Sequence, residues 1–412
     1  MFRAGDVIVL GVLSLLCVGV VMVNSAGLTI DPQEAVTVKS IIWSRSSFYM
    51  VAAMAAMLLI CRLPIDRLSS SPALFRAVPL ILPGIFLLLL LVYAPVIGRE
   101  VNGSHRWVHI PGTGFSMQPS EIAKWGLLIV LAWHGARAAS RMHEFKAGLL
   151  PGLLIVGLFA ALIAKEDLGT GVLVAMTGAI VLIAAGARLW QLGALVPAAL
   201  GAIALAVIVS PYRVKRLVAF LDPYADPEGA GYHMIQSLVA VANGEGFGRG
   251  LGFGLQKFGY LPEDRTDFLF AVICEELGVG GAAVIVALYA GILVSACSIV
   301  LRQQDRFLKL LGLGVTTTFG LQALINLFVV TGLAPTKGIA LPLLSSGGTG
   351  WIMTAASLGI LVAMDRRTAA RESEAIQPGL VEPKPVLATV EALADPSIPA
   401  PIDSRVATPA AA

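Results

Sequence analysis

Apolar runs alternate with short polar ones along almost the whole chain. A helix needs about 20 apolar residues to cross a bilayer. That rule predicts ten spans, near residues 7–25, 47–62, 77–97, 120–136, 147–164, 170–186, 191–210, 268–298, 309–330 and 347–364. The 268–298 segment is longer than a bilayer requires, which predicts a tilt or an extension into the cytosol. Residues 7–23 have the look of a secretory signal core. Their length, and the apolar segments that follow at once, predict an uncleaved first helix instead.

Short-loop lysines and arginines set orientation. Arg62, Arg67 and Arg76 share one loop, Arg137, Arg141 and Lys146 another, and Arg302, Arg306 and Lys309 a third. Arg366, Arg367 and Arg371 follow the last span. With ten spans all four groups fall on one side, the cytoplasm, together with both termini. The outer face then consists of loops near 26–46, 98–119, 165–169, 211–267 and 331–346. Only 211–267 is long, and it has room for a short helix at Tyr232 to Ala242. Residues 367–412 are rich in Ala, Pro and Glu without periodicity, which predicts a disordered cytoplasmic tail after a membrane domain of residues 1–366.

Composition agrees. The 412 residues are 57% hydrophobic and 13% charged, with mean hydropathy +0.83, whereas a soluble domain is about a quarter charged. The fold class is therefore an all-α polytopic membrane protein. The net charge of +3 is scattered rather than striped, so no nucleic-acid partner is indicated. The four cysteines lie in or beside apolar segments without metal-ligand spacing and read as small buried hydrophobes.

The polar residues that carry chemistry crowd the predicted outer face. Asn102 to Trp107 precedes Gln118-Pro119-Ser120-Glu121, with Lys124 one turn further. Pro119 suits a first helical position. Glu121 and Lys124 read either as a local ion pair or as part of a phosphate-binding surface with Arg106, beside the interfacial Trp107. Arg213, Lys215 and Arg216 lie just outside a span, where cations meet anionic head groups. Alternating glycines from Gly244 to Gly254 lack the context of a nucleotide loop and predict a flexible loop in close approach to a ligand or to backbone. Glu263, Asp264 and Asp267 end the long loop, and Asp267 is the last charge before an apolar helix, a costly place unless the charge is paired or used. Glu275 and Glu276 follow within that helix, about 100° apart around its axis. Lys124 and Lys337 are their candidate partners, and a purely structural ion pair is an equal reading. Gly332 to Gly350 carries too many turn formers for a helix and predicts a re-entrant loop at an outer cavity.

Together these motifs resemble the shape, elongation, division and sporulation family of peptidoglycan polymerases over residues 5–366. The resemblance rests on Arg106-Trp107, Gln118-Pro119-Ser120-Glu121, Asp167-Leu168-Gly169-Thr170, Phe220-Leu221-Asp222-Pro223, Leu261-Pro262-Glu263, Thr266-Asp267-Phe268, Glu275-Glu276-Leu277-Gly278 and Leu333 to Gly338. The division branch is nearer than the elongation branch. The chain departs from the family pattern at Glu166, where proline is common, and at Ser345 to Gly350.

The resemblance implies a ten-helix glycosyltransferase that joins lipid II units on the outer leaflet of the bacterial cytoplasmic membrane, at the division septum. It implies Asp267 as the catalytic base and Arg106, Lys124 and Arg45 as basic substrate contacts. Trp107, Arg213, Arg216, Glu263 and Lys337 complete the candidate substrate-binding set. No cofactor is fixed by the sequence. The leaving pyrophosphate needs positive charge, from side chains or from a divalent cation such as Mg or Mn. Implied partners are lipid II, a class B penicillin-binding protein, other division proteins and membrane lipids. Two other readings are a lipid-linked-sugar flippase, which favours charge spread through the membrane depth, and a non-catalytic division scaffold.

Overall fold

A computed structural model describes residues 3–27, 38–65, 67, 70–101, 103–110, 112 and 115–376. Six helices among these are long and apolar enough to cross a membrane: α1 (Ala4–Ala26), α3 (Phe75–Tyr93), α5 (Phe145–Glu166), α7 (Leu189–Ile208), α10 (Leu269–Arg302) and α11 (Arg306–Val330). Two shorter apolar helices, α2 (Arg45–Ile60) and α6 (Leu168–Ala184), also fall where spans were expected. The helices α4 (Pro119–Arg137) and α12 (Thr349–Ile376) lie where the two remaining spans were expected but are less apolar than the six, so the count of ten is not established. The chain is thus a polytopic helical membrane protein.

Local chemistry sets the helix ends. Pro119 opens α4, as the missing N–H of proline allows. The N-caps are Ser44 for α2, Asp167 for α6 and Asp305 for α11, each side chain accepting a first-turn backbone N–H. Close packing of α1 depends on small residues. A Cβ on Gly11 would press on Ile292 of α10, and one on Gly19 on the Leu343 and Leu344 carbonyls. At its first turn the Gly5 N–H donates to Asp365 of α12 at 3.1 Å.

Several features differ from the sequence reading. The all-α expectation omits a three-stranded antiparallel sheet, β1 (Gly98–Val101), β2 (Ser104–Ile110) and β3 (Phe115–Met117), in the order β1-β2-β3. The long outer loop holds two helices. The expected one is α9 (Tyr232–Asn243), and α8 (Pro211–Leu221) carries the basic cluster. The long 268–298 span is two helices broken at Gly278, whose φ of 66° and ψ of −166° leave the helical region. The last helix runs to Ile376, past the predicted start of a tail at 367. Residues 377–412 of that tail lie outside the described residues.

The buried glutamates have other partners than Lys124 or Lys337. Glu276 pairs with Lys257 at 2.7 Å, both fully buried, and accepts from the Ser25 hydroxyl and the Gly252 N–H. Glu275 accepts the N–H groups of Leu255 and Gln256 and lies 3.9 Å from the Arg249 guanidinium. The glycine-rich segment is laid against the broken helix rather than left loose. The N–H groups of Arg249 and Gly250 donate to the Glu275 and Glu276 carbonyls. At Gly248, with φ of 77°, a Cβ would collide with the Glu276 carbonyl. Close backbone approach explains this glycine run, as the sequence suggested.

Removing one member of the buried pair strands the other charge, which costs about 3–5 kcal/mol. Lys257→Met is expected to lower thermal stability in detergent sharply, and Lys257→Met with Glu276→Leu to recover most of the loss. A single variant that melts with the wild type would show that the pair does not hold the loop.

Candidate active site

Two neighbouring cavities open between the sheet, α8, the loop before α10 and the loop before α12. The first, about 520 Å³, is lined by Arg106, Trp107, Glu121, Arg216, Glu263 and Asp267 among others. The second, about 910 Å³, is lined by Arg106, Lys165, Arg213, Arg216 and Lys337, by the acids Glu166 and Asp167, and by Leu200, Ile203, Val207 and Ile208 of α7. Arg106 and Arg216 line both. The Val196–Ile208 part of α7 has no buried residue.

Asp267 sits at the end of the outer loop, half-buried, just before α10. Asn326 of α11 donates to its carbonyl and to that of Ile339, both at 2.8 Å, tying the aspartate to the re-entrant segment. Gly338 of that segment faces the carboxylate. A Cβ there would lie 3.0 Å from Asp267 Oδ2 and 3.4 Å from Arg106 Nη1, so carboxylate and guanidinium converge over a residue that must be small. Burial, and then the nearby Glu263 and Asp167 carboxylates, push the Asp267 pKa up to about 7, against the pull of Arg216 and Arg106. Asp264 is raised to about 6, chiefly by burial. Burial lowers Lys337, with Asp167 opposing and Arg213 adding to the shift. Burial and Arg216 lower His233.

The segment between α11 and α12 is irregular, and side chains satisfy part of its backbone, as buried non-helical backbone requires. Gln322 donates to the Ala340 carbonyl, the Ser345 hydroxyl accepts the Leu341 N–H, and the Trp351 indole donates to the Ser345 carbonyl.

Not every candidate from the sequence reaches a cavity in the same way. Asp267, Arg106, Trp107, Arg216, Glu263 and Lys337 line one or both. Lys124 does not. It is 2% exposed, and its ammonium donates to both Glu121 oxygens at 3.0 and 2.9 Å and to Gln322 at 2.7 Å. Both partners, Glu121 and Gln322, line the first cavity. Arg45, exposed at the start of α2, lines neither cavity. Arg213 borders the second but donates to the Ala206, Ala164 and Lys165 carbonyls, so it clamps α7 to the end of α5. Sequence reasoning missed Gln322 and Asn326. Their signal was present: two amides one turn apart in an apolar helix.

Among the described residues no three His, Cys, Asp or Glu side chains are grouped so as to hold a metal ion.

The chain matches the signature of the FtsW/RodA/SpoVE cell cycle proteins over residues 6–370. It belongs to that family. FtsW/RodA/SpoVE relatives include a probable peptidoglycan glycosyltransferase FtsW of Geobacter sp. (strain M18), 40% identical over 292 residues, which are 71% of this chain and 79% of that protein. Another, from Alkalilimnicola ehrlichii, is 40% identical over 362 residues, 86% of this chain and 88% of its own. A solved chain described for the structural coordination of polymerization and crosslinking by a peptidoglycan synthase complex aligns at a TM-score of 0.67 and 28% identity. It is covered over 97% of its length, and this chain over 88%. The rod shape determining protein RodA of Thermus thermophilus aligns at 0.61 and 25%, covering 88% of this chain and 96% of its own.

Lys124→Met would leave Glu121 and Gln322 without their buried donor. A loss of about 3 kcal/mol or more is expected, read as a lower melting temperature of the purified protein. An unchanged melting temperature would return Lys124 to the list of direct ligand contacts.

Proposed function

We propose that this protein is a peptidoglycan glycosyltransferase that polymerises lipid II on the outer leaflet of the bacterial cytoplasmic membrane, at the division septum. One observation carries the reading: a carboxylate with a pKa raised to about 7 lines one cavity, and that cavity shares two arginines with a second in which further cations and an apolar helix meet. A lipid-linked diphosphate sugar has the same division, with a prenyl tail for the α7 wall and a diphosphate for the cations. The names of the curated relatives support the same activity.

In this reading Asp267 takes the proton of the acceptor 4-hydroxyl as its oxygen attacks the anomeric carbon of the donor. The bond from that carbon to the pyrophosphate oxygen breaks, and the leaving group departs with the electron pair toward Arg106, Arg216 and Lys337. A general base works best with a pKa near the operating pH, and the surroundings of Asp267 supply it. Glu121, Gln322 and Trp107 border the sugar side. Charged lining residues all come from loops, helix ends, the sheet and α8, an arrangement suited to chemistry at one surface rather than to a flippase path through the depth. A class B penicillin-binding protein is the proposed partner, supported by the likeness to the peptidoglycan synthase complex.

The deciding experiment is polymerisation of purified lipid II by the purified protein, alone and with such a transpeptidase. Asp267→Asn is expected to abolish glycan strands while the protein still inserts. Near-normal strand formation by that variant would end the catalytic assignment. The wild-type rate should climb with pH through a midpoint near about 7, because the base acts ionised. The stability sign is the opposite. A carboxylate raised from 3.8 to about 7 in the fold contributes stability that is full below the lower value and is lost as pH rises through the higher one, so Asp267→Asn should melt no lower than wild type at pH 8. A flat rate profile from pH 5 to 9 would contradict this role of Asp267.

A further inference from the structure

Arg106 is the extra residue of a β-bulge. In the ladder between β1 and β2, Arg99 pairs with Trp107 and Glu100 pairs with His105, which leaves Arg106 with no residue opposite. A bulge re-aims a side chain but removes the register that a regular ladder imposes. Something else must fix where the guanidinium points.

Glu166, the last residue of α5, lies against the bulge. Its Oε2 accepts the His105 N–H at 2.8 Å, and its Oε1 accepts the Tyr93 hydroxyl at 2.8 Å. Its main-chain carbonyl accepts Arg106 Nε at 2.9 Å. One residue thereby holds the backbone next to the bulge, the inner nitrogen of the arginine and the end of α3. Lys165 covers the Tyr93 ring, with its ammonium 4.5 Å from the centroid. Because Nε is occupied, Nη1 is turned toward Gly338 and Asp267. The next residue, Asp167, spends its carboxylate on capping α6 through Thr170, so the two adjacent acids do different work.

We infer that Glu166 is a positioning residue for Arg106: its side chain sets the bulge so that the guanidinium faces the wall shared by the two cavities. The inference rests on the reading of that wall as a diphosphate site. It concerns the carboxylate: the carbonyl remains available as an acceptor in every variant, and the side chain decides whether the bulge brings Arg106 Nε to it.

The test is a double-mutant cycle on the full-length protein with Glu166→Ala, Arg106→Ala and both, and with Glu166→Gln and Tyr93→Phe beside them. Readouts are the initial rate of glycan formation from lipid II, the affinity for undecaprenyl pyrophosphate, the melting temperature, and hydrogen exchange of the peptide over 103–108. Glu166→Ala should weaken binding about tenfold or more, the scale of a lost charge-assisted hydrogen bond, with little further loss in the Arg106→Ala background. Glu166→Gln keeps an acceptor for His105 and should recover most of the loss. Tyr93→Phe should fall between wild type and Glu166→Ala. Exchange at the bulge should quicken in Glu166→Ala without a matching fall in melting temperature.

Losses that multiply in the double variant, or unchanged exchange at 103–108, would overturn the inference. A wild-type protein that binds the pyrophosphate probe but makes no glycan would remove the proposed function and leave the cycle on affinity to decide this point. If the probe does not bind, the exchange measurement alone decides it.

Discussion

A lysine and a glutamate with no exposure to solvent hold the outer half of this molecule together. Neither charge of the Lys257–Glu276 pair is tolerable there alone, since burial of an isolated ion costs far more than a surface ion pair returns. Ser25 from the first helix and the Gly252 N–H supply further hydrogen bonds to Glu276, and Glu275 captures two more backbone groups of the same loop. The helix break at Gly278, the glycine run and the end of α1 are therefore parts of one junction. From it the chain continues to Asp267, whose carbonyl is fixed by Asn326. None of the charges in that junction lines either of the two cavities.

Electrostatics in the site is arranged by separation. The Asp267 carboxylate meets other acids and low-dielectric surroundings, which favour its protonated form. Arg106 and Arg216 are close enough to temper that effect yet also serve the second cavity. An ion pair locked between Asp267 and Arg106 would have depressed the pKa and consumed both groups. Gly338 allows them to converge without closing the space between them.

The sequence makes the helical spans, the catalytic candidate and most of its cationic company readable, because hydropathy and the last charge before an apolar run are local signals. Pairings over long separations are not local. Glu276 meets Ser25 251 positions away, and nothing in the neighbourhood of either residue announces the other. The Glu121–Lys124 pair was legible from its spacing on one helix face, whereas the second partner of the lysine, Gln322, lies 198 positions away. The small sheet was hidden for a related reason: its strands are short and interrupted at Gly103 and by a bulge, so no clean alternation marks them. Gly278 follows the two glutamates in a run otherwise apolar, and its backbone conformation shows that one predicted span is two helices.

The bond between Gly5 and Asp365 spans 360 positions, and α1 also packs on α10 and on the segment before α12. Synthesis runs from the N-terminus. The first helix to enter the membrane can meet α2 soon after it is made, but the faces that meet α10 and α12 must wait in lipid until those late helices exist. Its own backbone bonds make that waiting state possible. Assembly of this protein is thus a closing event, in which the oldest segment receives its neighbours from the youngest, and a ribosome that stops before residue 349 leaves a chain whose beginning is as incomplete as its end.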